Sequence, residues 1–172
     1  MHERLANLLG AASLAVTDLV VAAATGAGRV SASGAAALVV LSEAPDLGVT
    51  ELGRRVGLTQ SAAARMVDGL QAAGLAERRR REGRAVLVRL TPAGEGAVRE
   101  MLAARGAPLA EVLTVLDEDE RETFTALLAK LLARLYEEIG DAEVMCRLCD
   151  RRCCTAGAVC PVGQAERDAG DV

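Results

Sequence analysis

Leu5, Leu8, Leu9, Ala12, Val16, Leu19, Val20 and Ala23 recur at helical spacing along the start of the chain. They predict a helix from about Arg4 to Ala24 that stops at Gly26 and Gly28. A second helix is expected to begin after Ser31 or Ser33. It should end near Glu43, because Pro45 pushes the residue before it out of helical geometry. Thr50 reads as the cap of a short helix that turns at Gly57. Thr59 reads as the cap of another, whose Met66, Val67 and Leu70 share a face and which ends at Gly74. Leu75 to Arg81 and Arg84 to Leu90 read as two strands around Glu82-Gly83, a pair that tolerates positive φ in a tight turn. Thr91-Pro92 is a helix start, with a hydroxyl cap and proline at the first helical position. Gly106-Ala107-Pro108 should kink or break that helix, with Leu109 to Leu116 continuing it. Asp117 caps a last long helix whose first turn, Glu118, Asp119 and Glu120, suits the helix dipole. Its apolar positions Phe124, Leu127, Leu128, Leu131, Leu132, Leu135 and Ile139 form a stripe wide enough to ask for a partner helix.

Short helix, turn, second helix and basic hairpin, in that order, describe a winged helix-turn-helix. In such a reader the second helix enters the major groove, and the hairpin lies along the backbone or reaches the minor groove. The segment resembles the MarR family of bacterial transcription regulators. The resembling pieces are ELGRRVGLTQSAAARMVDGLQAAGL, the wing ERRRREGRAVLVRLT and the LTPAGE that follows. Where the family carries Asp-x-Arg at the wing tip, this chain has Glu82-Gly83-Arg84, a carboxylate one methylene longer before the matching arginine. The resemblance covers roughly residues 1 to 140, and its motifs lie between 50 and 95. It implies a mainly α fold with a small β-hairpin wing and a homodimer whose first and last helices interleave about a two-fold axis. Such a dimer places two recognition helices about one duplex turn apart, as a palindromic operator requires. The expected parts are residues 1–32 as an N-terminal dimerisation helix and 33–92 as the DNA-binding winged helix. Residues 93–140 would be C-terminal dimerisation helices, and 141–172 a cysteine-rich tail.

Composition changes this picture in two places. With one Phe, one Tyr and no Trp, the core must be built from Leu, Val and Ala. An aromatic-lined pocket of the kind that binds small aromatic acids in the family therefore has little to be made of, though a small-molecule effector stays open. The net charge is −4, yet Arg65 to Arg89 holds seven arginines against Asp68, Glu77 and Glu82. Nucleic-acid binding needs a local basic face, not a high overall isoelectric point. An isolated arginine run is more often a solvated loop; a run at a wing reads the other way. The apolar stretch from 5 to 25 raises a signal peptide or a membrane span, but Asp18 interrupts it and Glu3 lies beside Arg4. The expectation is a cytoplasmic chain with no membrane partner and with reduced or metal-bound cysteines.

The candidate DNA contacts are Arg54, Thr59, Gln60, Ser61, Arg65, Arg79, Arg81 and Arg84. Gln60 can pair with adenine, Arg65 with guanine or phosphate, and Ser61 with phosphate at the helix start. Arg54 and Arg55 could hold phosphates from the preceding helix or be solvated. Alternate wing arginines face opposite sides, so only some can reach DNA, and Arg84 is first choice for the minor groove.

All five cysteines fall between 146 and 160, in CRLCDRRCCTAGAVC. Cys146, Cys149, Cys154 and Cys160 follow C-x2-C-x4-C-x5-C, near zinc-knuckle spacing, with Cys153 as the alternative ligand. Zinc is the first expectation. An iron–sulfur cluster has the same all-cysteine donors and Cys-Pro ending. A thiol switch or a soft-ion or arsenic(III) sensor at Cys153-Cys154, or no metal at all, also fits. The function expected is a DNA-binding regulator, most simply a repressor, that responds to a ligand or to the tail. Two alternatives are a thiol-disulfide or metal-trafficking protein and a winged helix used only for protein contacts. Cys146-x2-Cys149 lacks the βαβ setting of redox enzymes, and the single histidine, His2, leaves no catalytic constellation, so no enzyme is expected.

Overall fold

The computed structural model describes residues 2–80 and 86–170. The chain is mainly helical with a small three-stranded sheet. It opens with α1 (His2–Gly28), α2 (Ala32–Glu43) and a two-residue strand β1 (Leu47–Gly48). Next come α3 (Val49–Arg55), α4 (Gln60–Ala72), β2 (Ala76–Arg80) and β3 (Val86–Leu90). After them run α5 (Pro92–Val112), a 3-10 turn over Leu113–Val115 and α6 (Glu118–Ile139). Three short helices, α7 (Ala142–Met145), α8 (Arg151–Thr155) and α9 (Pro161–Gly170), finish the chain.

Side-chain caps define most of these boundaries. Ser31, Thr59 and Thr91 each accept from a backbone N–H three residues on. Asp117 and Glu120 form a reciprocal capping box at the head of α6, at 2.9 and 3.0 Å. Four expectations need correction. Thr50 lies inside α3; Gly48 holds the cap position, without a side-chain bond. The first helix runs through Gly26 to Gly28, because glycine weakens a helix by only about 1 kcal/mol and α1 is held along α5. Gly106 and Pro108 do not break α5, whose hydrogen-bonded run continues to Val112. Proline removes one N–H, and packing against α1 supports the rest of the helix. The wing also has a third strand: β1 pairs with β3, Leu47 opposite Val88, so the order is β1-β3-β2.

The core lies inside the winged helix. α2 is buried from Gly34 to Leu41, packed by Leu52, Val67, Leu70, Val88 and, from α5, Val98 and Met101. Aliphatic and small residues supply all of it, as the composition requires. Two close approaches fix its shape. A Cβ on Gly53 would sit 2.6 Å from the Cβ of Ala63, so α3 can cross α4 only with glycine there. A Cβ on Gly94 would sit 2.0 Å from the carbonyl oxygen of Leu75, which seats α5 on the base of the wing. Gly57 (φ +74) turns the chain between α3 and α4 and Gly74 (φ +71) turns it after α4, both in left-handed geometry that favours glycine.

Outside that core the long helices are sparsely covered. Leu5 and Leu14 of α1 are 66% and 71% exposed, and the α6 stripe from Phe124 to Ile139 is exposed or nearly so along its length. Among the described residues one helix, Glu3–Gly28, is long and apolar enough to cross a membrane by length and composition.

Candidate nucleic-acid interface and thiol cluster

On α4, Ala63, Val67 and Leu70 face the core, which turns Gln60, Ser61 and Arg65 outward as one exposed face. Thr59 is exposed too, but its hydroxyl is committed to the cap, 3.4 Å from the Ala62 N–H, and lies 3.4 Å from the Ser61 hydroxyl. Among these candidates Gln60, Ser61 and Arg65 are therefore free to meet a groove, while Thr59 positions them.

The wing is pinned to the recognition helix by Arg78. Its guanidinium donates to Asp68 and Gln71, both at 2.6 Å. Arg79 is exposed and donates to Glu77 at 2.7 Å on the same strand. Arg81, Arg84 and the Glu82-Gly83 turn lie outside the described residues.

Arg54 and Arg55, read as phosphate contacts or solvated side chains, are engaged with carboxylates. Arg54 forks onto the Glu51 carboxylate at 2.9 and 3.0 Å and reaches Asp141 at 3.1 Å. Arg55 donates to Glu51 at 2.7 Å and to Glu143 at 3.4 Å. Hydrogen bonds from the two guanidiniums, Arg54 first, pull Glu51 down to about 2, and the Glu51 carboxylate in turn raises Arg54. Asp141 and Glu143 were not legible as site residues. Their arginine partners lie 87 and 88 positions away, and only the return of the tail onto α3 brings them together.

In the tail, all five thiols are free. Cys146 closes α7 through its N–H to Ala142 at 2.9 Å, and the Cys149 N–H turns back onto the Cys146 carbonyl at 2.9 Å. The side chains of Cys146 and Cys149 are hydrogen-bonded to each other, which raises the first thiol and lowers the second; Arg105, Arg151 and Arg147 favour the Cys149 thiolate further. Cys154 is pushed up to about 11, first by burial and then by its neighbour and hydrogen-bond partner Cys160. The charges of Cys160 and Cys149 are also felt at Cys146 and Cys154 respectively, so these four thiols form one neighbourhood. Cys153 stands apart: it is exposed and raised by a hydrogen bond to Asp150. The arrangement is two thiol pairs rather than a closed cage. Among the described residues no group of three or more His, Cys, Asp and Glu side chains is set to hold a metal ion.

A cavity of about 920 Å³ opens between the winged helix, α5 and the tail. Leu41, Arg89, Arg99, Leu102, Arg105 and Cys153 are among its walls. The Arg105 Nε is buried there without a hydrogen-bond partner among the described residues.

A capped recognition helix, an outward Gln60-Ser61-Arg65 face and a basic strand pair behind it define a winged helix-turn-helix protein. Residues 30–85 match the MarR family. The chain is similar to a MarR family protein from Bacillus stearothermophilus, at 28% identity and a TM-score of 0.67 over 78% of this chain and 98% of that one. It is also similar to the Mycobacterium tuberculosis MarR family protein Rv2887. In that protein's complex with DNA the figures are 26% identity and a TM-score of 0.60, over 73% of this chain and 95% of that one. In its complex with salicylic acid they are 27% and 0.57, over 74% and 95%. No curated protein sequence matches the chain.

Proposed function

We propose that the chain is a homodimeric repressor that reads a palindromic operator in double-stranded DNA and is released by a signal at the cavity or the thiol tail. The observation that carries the DNA reading is the exposed Gln60-Ser61-Arg65 face on a helix whose other side is fully packed. The solved DNA complex of Rv2887 supports it. The dimer is supported by the exposed apolar faces of α1 and α6. A 580 Å³ groove between Val112, Val115, Phe124 and Leu127 adds to them. A second subunit would remove this surface from water, at about 25 cal/mol per Å². Selection from random duplex DNA, followed by a salt titration of the recovered site, tests the reading. A palindromic motif and a steep loss of affinity with salt are expected. Recovery of unrelated sequences would sink it.

The salicylate complex of Rv2887 supports a small-molecule effector, and the arginines of the 920 Å³ cavity suit an anionic one. For the tail we infer a thiol-based sensing element. Zinc bound by Cys146, Cys149, Cys154 and Cys160 fits the donor chemistry, with Arg147 and Arg151 offsetting the thiolate charge, but the two pairs would have to close on one another. Zinc would supply a structural tie between α7 and α9. The paired arrangement also favours a thiol switch without metal. Metal analysis and a visible spectrum of anaerobically purified protein decide among zinc, iron–sulfur and thiols alone. One zinc per chain that is lost in Cys149→Ser and kept in Cys153→Ser would establish the four-ligand set. A brown protein, or zinc lost only in Cys153→Ser, would exclude it.

A further inference from the structure

We propose that the acidic start of the tail stands in for DNA phosphate: Asp141 and Glu143 occupy Arg54 and Arg55 of the helix-turn-helix and lower its affinity for duplex DNA until the tail moves. The inference rests on the DNA-reading function proposed above. The first helix of a helix-turn-helix crosses the DNA backbone, and α3 carries both arginines. The Arg54 Nη1 lies 3.1 Å from Asp141 Oδ2, and the Arg55 Nη1 lies 3.4 Å from Glu143 Oε1. A guanidinium presents the same donor fork to carboxylate and to phosphate, so the two compete for it.

The contact is built to be exchanged. The Arg54 side chain is 53% exposed and that of Asp141 30%, so the pair is wet and weak enough for phosphate to displace. The acids still compete well because they are tethered to the same chain and held close. Their position depends on the cysteine segment. Asp141 caps α7, Ala142 is buried, Cys146 closes the helix, and Leu148 packs against the core. The second carboxylate oxygen of Glu143 accepts from Arg151 on α8 at 3.0 Å. A rearrangement of the thiols therefore has a path to the reading head within one chain, separate from any path through the dimer helices.

The test is fluorescence anisotropy of the reduced full-length chain on a duplex recovered from a random pool. Asn is as good a helix cap as Asp, so D141N/E143Q keeps α7 capped while removing both charges. The double variant should bind about three- to tenfold tighter, and its slope of log affinity against log salt should steepen by about 0.9 for each arginine turned to phosphate. In an R54A/R55A background the same acid replacements should change nothing, because the interaction they remove is already gone. Equal or weaker binding by a natively folded D141N/E143Q overturns the proposal, as does a gain that persists without the two arginines. Failure of the wild type to bind any recovered duplex overturns the DNA reading itself, and this inference with it.

Discussion

Glu51 holds two guanidiniums with one carboxylate, so its protonation is a stability event. Its pKa is about 2 in the folded chain against an ordinary 4.5, chiefly through the hydrogen bond from Arg54. A carboxylate lowered by folding contributes stability above its unfolded pKa and loses it as pH falls through the folded value. The contribution should be complete near neutrality, decline below about pH 4.5 and vanish by about pH 2. The expected outcome is that Glu51→Gln melts below wild type at pH 7 and level with it at pH 2, followed by circular dichroism. A constant difference across that range would show that the ion pairs are not its source. Gln60 makes the other prediction at this scale. Its amide can bridge the N6 and N7 of adenine, a contact worth about 1–3 kcal/mol of discrimination. Selection with Gln60→Ala should relax one operator position and leave the rest intact; an unchanged motif would mean that Gln60 reads no base. Gln60 stands out in the sequence for its chemistry, whereas Glu51 is not among the residues singled out there. Only for Gln60 does the neighbourhood follow from the sequence as well, because the cap at Thr59 and the buried Ala63 and Val67 are within one helix. Arg54 needed its partners from the tail.

Among the elements, the crossing of α3 and α4 is the most tightly specified. Gly53 leaves 2.6 Å for a Cβ against Ala63, and both residues are buried within the helix-turn-helix. Gly53→Val should destabilise the chain by about 1–3 kcal/mol through overpacking and reduce DNA affinity by tilting α4. Denaturant unfolding checks the first effect. A variant as stable as wild type would mean that the helices separate freely. The starts of α2, α4, α5 and α6 were legible because each is set by a hydroxyl or carboxylate cap, a local signal. The misplaced features share a reason. The start of α3, the continuation of α5 past Pro108 and the extension of α1 through Gly26 are decided by packing between helices, which overrides propensities of about 1–3 kcal/mol. Strand β1 escaped because two residues carry no periodicity; it exists through its pairing with β3.

For the whole molecule, the exposed leucines of α1 and α6 leave an apolar surface without a partner among the described residues. If they are the dimer interface, Leu131→Asp would put an unpaired charge into it, at a cost of several kcal/mol. Light scattering should then show a monomer for the variant and a dimer for wild type, and DNA affinity should fall with the dimer. A wild-type chain that is a stable monomer would remove the interleaved arrangement. The sequence by itself determined the helix-turn-helix, its wing, the outward face of α4, the apolar stripe of α6 and the clustering of the thiols. Each of these is a local pattern: period, cap, turn residue or spacing. The tertiary structure alone decided that the tail folds back onto α3, that Asp141 and Glu143 take up Arg54 and Arg55, and that Arg105 meets the tail at a common cavity. Such contacts join residues tens of positions apart, and they depend on the burial of Ala142, Leu148 and Val162 to bring the tail home. No periodicity records which distant surface a short helix will find.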